Sequence, residues 1–524
     1  MAAEKEPVDT QQPSNKLSEI SDRIRKDLIT RNNYRMKQCT IQIRDEVNVK
    51  LEGLDLDVRK KLVNTFKYEN PAARYLPAVR LGRWDGKIAY FQLGGSTYTN
   101  LLPEIIPILE QYNYDIELDD QREYSTTFEF AEMREDTFSD TLWPKGHPQE
   151  GQSIVLRDYQ VEIINNYLQN PQCIQEVATG AGKTIMTAAL SWNVQSYGRS
   201  IVIVPNKSLV TQTEKDYVNL GLDVGVYFGD RKDYGKTHTI CTWQSLNNLL
   251  KDSKDGTAKF TIQDFMEDVV CVIVDEVHMA KADALKTLLT GIMARVPIRW
   301  GLTGTIPKEK FESQALLVGL GPVVSKLSAS ELQDRGVLAQ CHVNIVQLVD
   351  HVEYSNYQSE LKYLLEESGR LDTMADLVRR VNETGNTLVL VDRTECGRQL
   401  VERLGDGAVF VSGATKAKAR QDEYDEVADA TGKIIVATYG VAAVGINIPR
   451  IFNLVLIEPG KSFVRVIQSI GRGIRKAEDK DHVQIWDITS TCKFAKRHLT
   501  KRKQFYKEAN YPFSAEKLEW MKIK

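Results

Sequence analysis

Five short, unbroken apolar runs recur in this chain: Ile201–Val204, Val269–Val274, Leu388–Val391, Ile434–Ala437 and Leu454–Ile457. None alternates with polar residues, so a strand built from any of them is apolar on both faces. Such strands belong in parallel sheets that helices cover on each side. Stretches of helical character separate the runs. From Ser153 onward the chain is therefore expected to be α/β, built in layers. The pattern turns irregular between Pro322 and Gln340, where two similar α/β halves would meet. No short-period repeat is present.

Ahead of these runs, a small α+β domain is expected. TIQIRDEVNVKL alternates like one half-buried strand, and Leu56 to Tyr68 reads as a helix. Asp85-Gly86, between two extended runs in RLGRWDGKIAYF, is a hairpin signal. Leu101 to Tyr112 would form a second helix after Asn100. The polar, acidic stretch that follows contains Pro144 and Pro148 and reads as a linker. The expected domains are a flexible tail (1–35), a nucleic-acid-binding α+β domain (36–118), a linker (119–150), two α/β domains (151–325 and 326–490) and a basic C-terminal tail (491–524).

Charge narrows the classes of partner. With 68 basic and 71 acidic residues the net charge is −3, so nucleic-acid binding would need a local basic stripe. The seven cysteines are scattered, with no C-x-x-C pair, which argues for a reducing compartment and against zinc or disulfides. No apolar run reaches the length of about 18 residues that a membrane span needs. The polar N-terminus does not read as a secretory signal. A cytoplasmic protein with no membrane partner is expected.

Three motifs carry chemistry. EVATGAGKT, Glu176 to Thr184, lies between a plausible strand (Cys173–Val177) and a plausible helix (Lys183–Gln195), the context a P-loop requires. The backbone of Thr179, Gly180, Ala181 and Gly182 would approach phosphate oxygens at a helix N-terminus. Lys183 would reach the β- and γ-phosphates of ATP, and Thr184 would hold Mg²⁺. Val177 stands where the first glycine of the G-x-x-x-x-G-K-T pattern is usual; the alternative is a Gly-rich turn ahead of a helix. VVCVIVDEVH, Val269 to His278, places Asp275 and Glu276 at the C-terminal end of a buried strand. Asp275 suits the Mg²⁺ shell, and Glu276 suits the group that orients and deprotonates water. The alternative for such a pair is a helix N-cap. QSIGRGIRK, Gln468 to Lys476, puts Arg472 and Arg475 on one helical face. A guanidinium aimed at the γ-phosphate is worth ~10³–10⁵ in rate, whereas a solvated basic face does nothing for catalysis.

Taken in order, these motifs resemble those of a superfamily 2 helicase. LRDYQ (Leu156–Gln160) resembles the motif ahead of the P-loop, in which Gln160 would read adenine. VPNKSLVTQ (Val204–Gln212), TWQSL (Thr242–Leu246), LTGT (Leu302–Thr305), TLVLVDRTECGRQL (Thr387–Leu400), VSGAT (Val411–Thr415) and ATYGVAAVGINIP (Ala437–Pro449) follow in that family's order. The last string has Asn447 where many members carry an acidic residue. RYLPAVRLGRWDGKIAYF and LLPEIIPILEQYNYDIELD are similar to the small domain ahead of the motor in phage recombination helicases.

The resemblance implies an α/β fold of two RecA-like parallel-sheet domains in tandem, preceded by the small α+β domain. ATP and Mg²⁺ would bind between the two RecA-like domains, with Gln468, Arg472 and Arg475 completing the catalytic set. His278, Thr303, Thr305 and Gly445 would couple hydrolysis to movement. Strand contacts would come from Lys207, Ser208, Trp243, Gln244, Thr415 and Thr438. Core packing is an equal alternative for Trp243.

Two basic patches add candidates: Arg74, Arg80, Arg83 and Lys87 around Trp84, and Lys493, Lys496, Arg497, Lys501, Arg502, Lys503 and Lys507 in the C-terminal tail. A solvated hairpin and a merely solubilising helix are the alternatives. The implied activity is an ATP-dependent helicase that unwinds and branch-migrates DNA forks, four-way junctions and D-loops, and also RNA–DNA hybrids in R-loops. It would act as a monomer, with single-strand-binding or recombination proteins as partners. Duplex translocation without unwinding, and ATP-switched binding or annealing, are the competing readings.

Overall fold

The computed structural model describes residues 37–520 except 71–72, 123–126, 146, 148, 278–281, 416–423, 425, 427–429, 446–449, 463–465, 467–468 and 472–478. The chain divides into two compact units. The first comprises Met1–Glu176 with Gly182–Lys326, the second Val177–Ala181 with Leu327–Lys524. Among the described residues no helix is long and apolar enough to cross a membrane, and all seven cysteines are free and buried.

The first unit holds two main sheets. The smaller has the strand order Ser96–Tyr98, Asn48–Glu52, Lys37–Ile43, Tyr114–Asp120. TIQIRDEVNVKL is thus two strands, not one. Asp45 folds it back, its Oδ1 accepting the N–H groups of Val47 (2.9 Å) and Asn48 (2.7 Å). An aspartate that hydrogen-bonds its own downstream backbone makes a turn without glycine, so the alternation runs through the turn unbroken. Asp85-Gly86 also differs from expectation. A short helix, Pro77–Arg80, precedes it, and Lys87–Ala89 pairs antiparallel with the distant Lys67–Glu69. The expected helices form as Leu56–Thr65 and Leu102–Gln111.

The larger sheet has eight strands, in the order Arg231–Lys232, Val224–Phe228, His238–Thr242, Arg199–Val204, Val269–Asp275, Ile298–Thr303, Gln172–Val177, Val323–Leu327. From Val224–Phe228 through Gln172–Val177 every neighbour is parallel. Their side chains are buried on both faces, as the unbroken apolar runs require.

The small sheet packs directly on this layer. Val318, from helix Lys310–Leu320, joins the small sheet's own core of Ile41, Leu62, Phe91 and Ile105. Glu46 N–H donates to the Ala294 carbonyl (3.0 Å), and Tyr90 hydroxyl donates to the Phe311 carbonyl (3.2 Å). The stretch read as a linker is strapped to the same layer. Asn165 accepts the Met133 N–H (2.8 Å) and returns a bond to its carbonyl (2.9 Å), while Phe128, Met133 and Phe138 are buried.

The second unit is one seven-stranded sheet, ordered Ala408–Val411, Ile434–Thr438, Thr387–Val391, Asn453–Ile457, His482–Ser490, Gln340–Leu348, Phe513–Leu518. All its pairings are parallel. The segment expected as a basic tail is part of this fold. Lys493–Glu508 is a helix that buries Ala495, Leu499, Arg502 and Tyr506, and Phe513–Leu518 is the sheet's edge strand. Its buried positions recur every three or four residues, but the basic residues between them mask that stripe in composition.

Candidate active site

In the eight-stranded sheet three consecutive strands deliver three motifs to one edge. Val269–Asp275, Ile298–Thr303 and Gln172–Val177 lie side by side, with Asp275 opposite Leu302 and Thr303 opposite Glu176. Parallel α/β sheets place ligands at the carboxyl ends of their strands. Asp275-Glu276, Thr303-Gly304-Thr305 and the P-loop all emerge there.

After Gln172–Val177 the chain enters the helix Lys183–Val194 through Gly182, which sits in the left-handed region (φ 83°, ψ 44°). A Cβ at Gly182 would lie 2.6 Å from Nε2 of Gln160, so only glycine lets the loop pass this close to the glutamine. Gln160 itself is buried, and its Oε1 accepts the Arg157 N–H at 2.9 Å, which fixes the amide against the loop. The helix begins on a residue with no side chain to cap it, which leaves its first N–H groups suited to an anion.

Residues Val177–Ala181 belong to the second compact unit. There Ala178 N–H donates to the Leu327 carbonyl (2.9 Å), and a Cβ on Gly180 would meet Leu338 at 2.7 Å. Thr179 lies against Gly471, where an added Cβ would be 3.2 Å from its own Cβ.

Lys183 and Glu276 are both buried and form an ion pair, Nζ to Oε1, of 3.1 Å. The other carboxylate oxygen of Glu276 accepts the Gly304 N–H at 3.4 Å. One carboxylate therefore ties the P-loop lysine to the end of the middle strand. Glu276 holds a positive φ of 51°, a strained conformation for a residue with a side chain. Asp275 is buried beside it, its Oδ1 accepting the Glu276 N–H at 2.9 Å. Thr303 and Thr305 are buried and locked together, Thr303 Oγ1 donating to the Thr305 carbonyl at 2.8 Å. The Thr305 hydroxyl is buried without a hydrogen-bond partner among the described residues.

Sequence reasoning passed over two members of this site. Gly304 matters through its backbone. Asp216, on the helix Lys207–Asn219, shares a hydrogen bond with the Thr184 side chain, and burial raises its carboxyl above the ordinary aspartate value. A single aspartate in an ordinary helix gives no signal of such a role.

Elsewhere the candidates divide. Lys207 and Ser208 are exposed in the first turn of Lys207–Asn219, capped by Asn206, whose side chain accepts the Leu209 N–H at 3.1 Å. Gln244 is exposed at the start of Trp243–Lys254, whereas Trp243 is half-buried against the sheet's hydrophobic core. Thr438 ends a strand of the second sheet, and Gly445 ends the helix that follows it. The Thr415 hydroxyl accepts the Ser412 N–H at 3.1 Å. Arg80, Arg83 and Lys87 are exposed, with Trp84 donating its indole N–H to the Lys87 carbonyl at 2.9 Å. Arg497 and Lys501 are exposed on the C-terminal helix. His278, Gln468, Arg472 and Arg475 lie outside the described residues.

Arg502 is a correction. It is fully buried, its Nε and Nη2 each 2.8 Å from an Asp487 oxygen and its Nη1 2.7 Å from the Gly460 carbonyl. A guanidinium whose fork is filled from inside the protein offers nothing to a phosphate. Arg502 anchors the helix rather than touching nucleic acid.

The chain is similar to known proteins across both units. Residues 153–308 match the family described as type III restriction enzyme, res subunit, and residues 369–477 match the helicase conserved C-terminal domain. The ATP-dependent DNA helicase uvsW of Enterobacteria phage T4 is 24% identical over 472 residues, covering 86% of this chain and 90% of the relative. The chain belongs to the superfamily 2 helicases. The DNA 3'-5' helicase XPB of Kineococcus radiotolerans is 22% identical over 370 residues, covering 68% of this chain and 64% of the relative. Among solved structures, a fragment of the HsdR subunit of a type I restriction enzyme from Vibrio vulnificus YJ016 aligns with a TM-score of 0.52. It is 16% identical and covers 96% of each chain, which shows a shared fold. As a helicase of this superfamily the protein uses ATP and acts on nucleic acid. Its two parallel sheets are the tandem pair that the apolar runs predict.

Proposed function

We propose that this helicase unwinds and branch-migrates DNA forks, four-way junctions and D-loops, and clears RNA from R-loops. The convergence of Lys183, Glu276 and Gly304 on one strand-end edge carries this reading. ATP phosphates would displace Glu276 from Lys183, because a triphosphate offers the ammonium more negative charge than one carboxylate. The released Glu276 would then orient and deprotonate the attacking water. Its second oxygen, already on Gly304, would carry the change to Thr303 and Thr305.

The residues present fit a divalent ion. The Thr184 hydroxyl and the Asp275 carboxylate supply the hard oxygen donors that Mg²⁺ takes. When bound, that ion neutralises phosphate charge. Lys207, Ser208 and Gln244 in the first unit, with Thr415 and Thr438 in the second, are proposed to hold phosphate and sugar, so sequence preference should be weak. The relative's printed name, an ATP-dependent DNA helicase, supports DNA as the track. The exposed Arg80, Arg83 and Lys87 beside Trp84 are proposed to meet the duplex at a junction.

The test is ATP-dependent processing of a simple duplex, an R-loop and a mobile four-way junction, matched in length. The expected outcome is conversion of the junction and the R-loop, absent with ADP. Movement along duplex with every strand left paired would overturn this reading in favour of a translocase.

A further inference from the structure

A cleft of about 630 Å³ opens on the second sheet, where the segment after Gln340–Leu348 meets the start of helix Lys493–Glu508. Lys493, Lys496, Arg497 and Thr500 line one wall, following the i, i+3, i+4, i+7 spacing of a single helical face. The opposite face of the same helix buries Ala495, Leu499 and Arg502, so packing fixes which side the cations take. All three cations are exposed, and among the described residues none has a carboxylate partner. The Arg497 guanidinium and the Lys493 ammonium each lie 5.9 Å from the Phe494 ring centre.

The acidic residues nearby do not cancel this charge. Asp350 is spent on interior partners: the Arg370 guanidinium, Ser490 Oγ (2.5 Å), Tyr363 hydroxyl (3.1 Å) and Trp520 indole N–H (3.0 Å). Glu360, also buried, accepts the N–H groups of Phe494 (3.1 Å) and Ala495 (2.7 Å), so the helix start is already capped. Only Glu353 adds a solvent-facing carboxylate to the lining. Burial, helped by the neighbouring cations Arg502, Lys461 and Lys501, lowers His498 on the same helix to about 4.

The position of the cleft indicates what it holds. Every strand of this sheet is parallel, so the cleft, beyond Leu348 and Ser490, shares an edge with Thr438. Three to four strand spacings of about 4.8 Å separate them, roughly 14–19 Å. A duplex rising 3.4 Å per base pair covers that distance in about five base pairs.

We propose that this cleft is a second phosphate-binding station, which grips the nucleic-acid backbone about five base pairs from the Thr438 contact. The inference rests on the helicase reading and deepens it. Lys493, Lys496 and Arg497 take the phosphates, and Glu353 limits how tightly the backbone is held; Thr500 and Thr491 shape the wall, their hydroxyls donating to the carbonyls of Lys496 (3.0 Å) and Asp350 (3.3 Å).

The test is fluorescence anisotropy of the full chain with a labelled 30-base-pair duplex across a salt series. Lys493→Ala/Lys496→Ala should lower the slope of log K against log salt by about two, since each phosphate contact contributes about 0.9. Affinity at moderate salt should fall at least tenfold. Both side chains are exposed, so the melting temperature should hold. Glu353→Gln should shift affinity the other way, tightening it several-fold. An unchanged slope in the double variant, with the wild-type chain still showing DNA-stimulated ATP turnover, overturns the station and leaves the helicase reading standing. Loss of all DNA stimulation and binding in the wild-type chain would instead sink the reading beneath it. Saturable binding of inorganic phosphate alone at millimolar concentration, lost in the double variant, would assign the cleft to a free anion and overturn the proposal.

Discussion

Lys183 and Arg502 are both buried cations facing carboxylates, yet they are held in different ways. Lys183 is a compact ammonium that meets Glu276 at 3.1 Å, on a strained residue whose other oxygen is engaged with Gly304. Arg502 fills both oxygens of Asp487 and adds a carbonyl, while the Tyr506 hydroxyl donates to the same aspartate at 2.7 Å. Burial opposes the Arg502 charge, but Asp487 more than restores it and raises the group above the ordinary arginine value. An ammonium on a flexible stem trades one anion for another, whereas a planar fork with all three of its nitrogens engaged does not. The first pair is placed to be broken by a ligand, the second to remain.

The largest expected effect breaks the first pair. Lys183→Ala should reduce ATP turnover by about a thousandfold or more, since the transition state loses a phosphate-facing cation. A steady-state ATPase assay with saturating DNA measures this, and DNA binding by anisotropy should stay close to wild type. Turnover within tenfold of wild type would mean that Lys183 is as structural as Arg502.

The matching change in the second pair should act on stability instead. Arg502→Ala leaves Asp487 buried and uncompensated, a loss of about 3–5 kcal/mol. Thermal or urea denaturation would show it. Arg502→Ala/Asp487→Leu should lose less, because no buried charge is then stranded. If Arg502→Ala kept its melting temperature and lost DNA affinity, the contrast between the two cations would be wrong.

This contrast also marks where the sequence stops being legible. Unbroken apolar runs announce parallel strands, and Gly182-Lys183-Thr184 announces a phosphate loop, because sterics and charge at those positions admit few alternatives. KFAKRHLTKRKQFYK announces only charge. Which of its cations turns inward depends on Asp487, fifteen residues upstream on the strand His482–Ser490, and that is a tertiary fact. The same holds for Asp216 at Thr184 and for the Asp45 turn, which alternation reads straight through.

A smaller effect tests a third way of burying a titratable group. His238 is fully buried, with Nδ1 2.7 Å from Ser200 Oγ, and burial lowers it to about 4. The folded state therefore binds fewer protons than the unfolded one between about pH 6.5 and pH 4. Stability should fall as pH drops through that window, by up to about 3 kcal/mol from this group. His238→Gln should flatten that part of the stability–pH curve relative to wild type. Identical curves would show that the imidazole is solvated in the folded state.

The smallest stability effect is expected at the middle strand of the active site. Thr305 is buried, yet its hydroxyl lacks a partner among the described residues, while its backbone is bound by Thr303. A partnerless buried hydroxyl costs stability, so Thr305→Val should leave the melting temperature unchanged or raise it slightly, by less than about 1 kcal/mol of stability. If the hydroxyl is retained because a later state of the cycle supplies its partner, the variant should hydrolyse ATP at near wild-type rate and unwind poorly. Measuring ATP consumed per base pair unwound separates the two. An unchanged ratio would make Thr305 a packing residue, and the link from Lys183 through Glu276 would then end at Gly304.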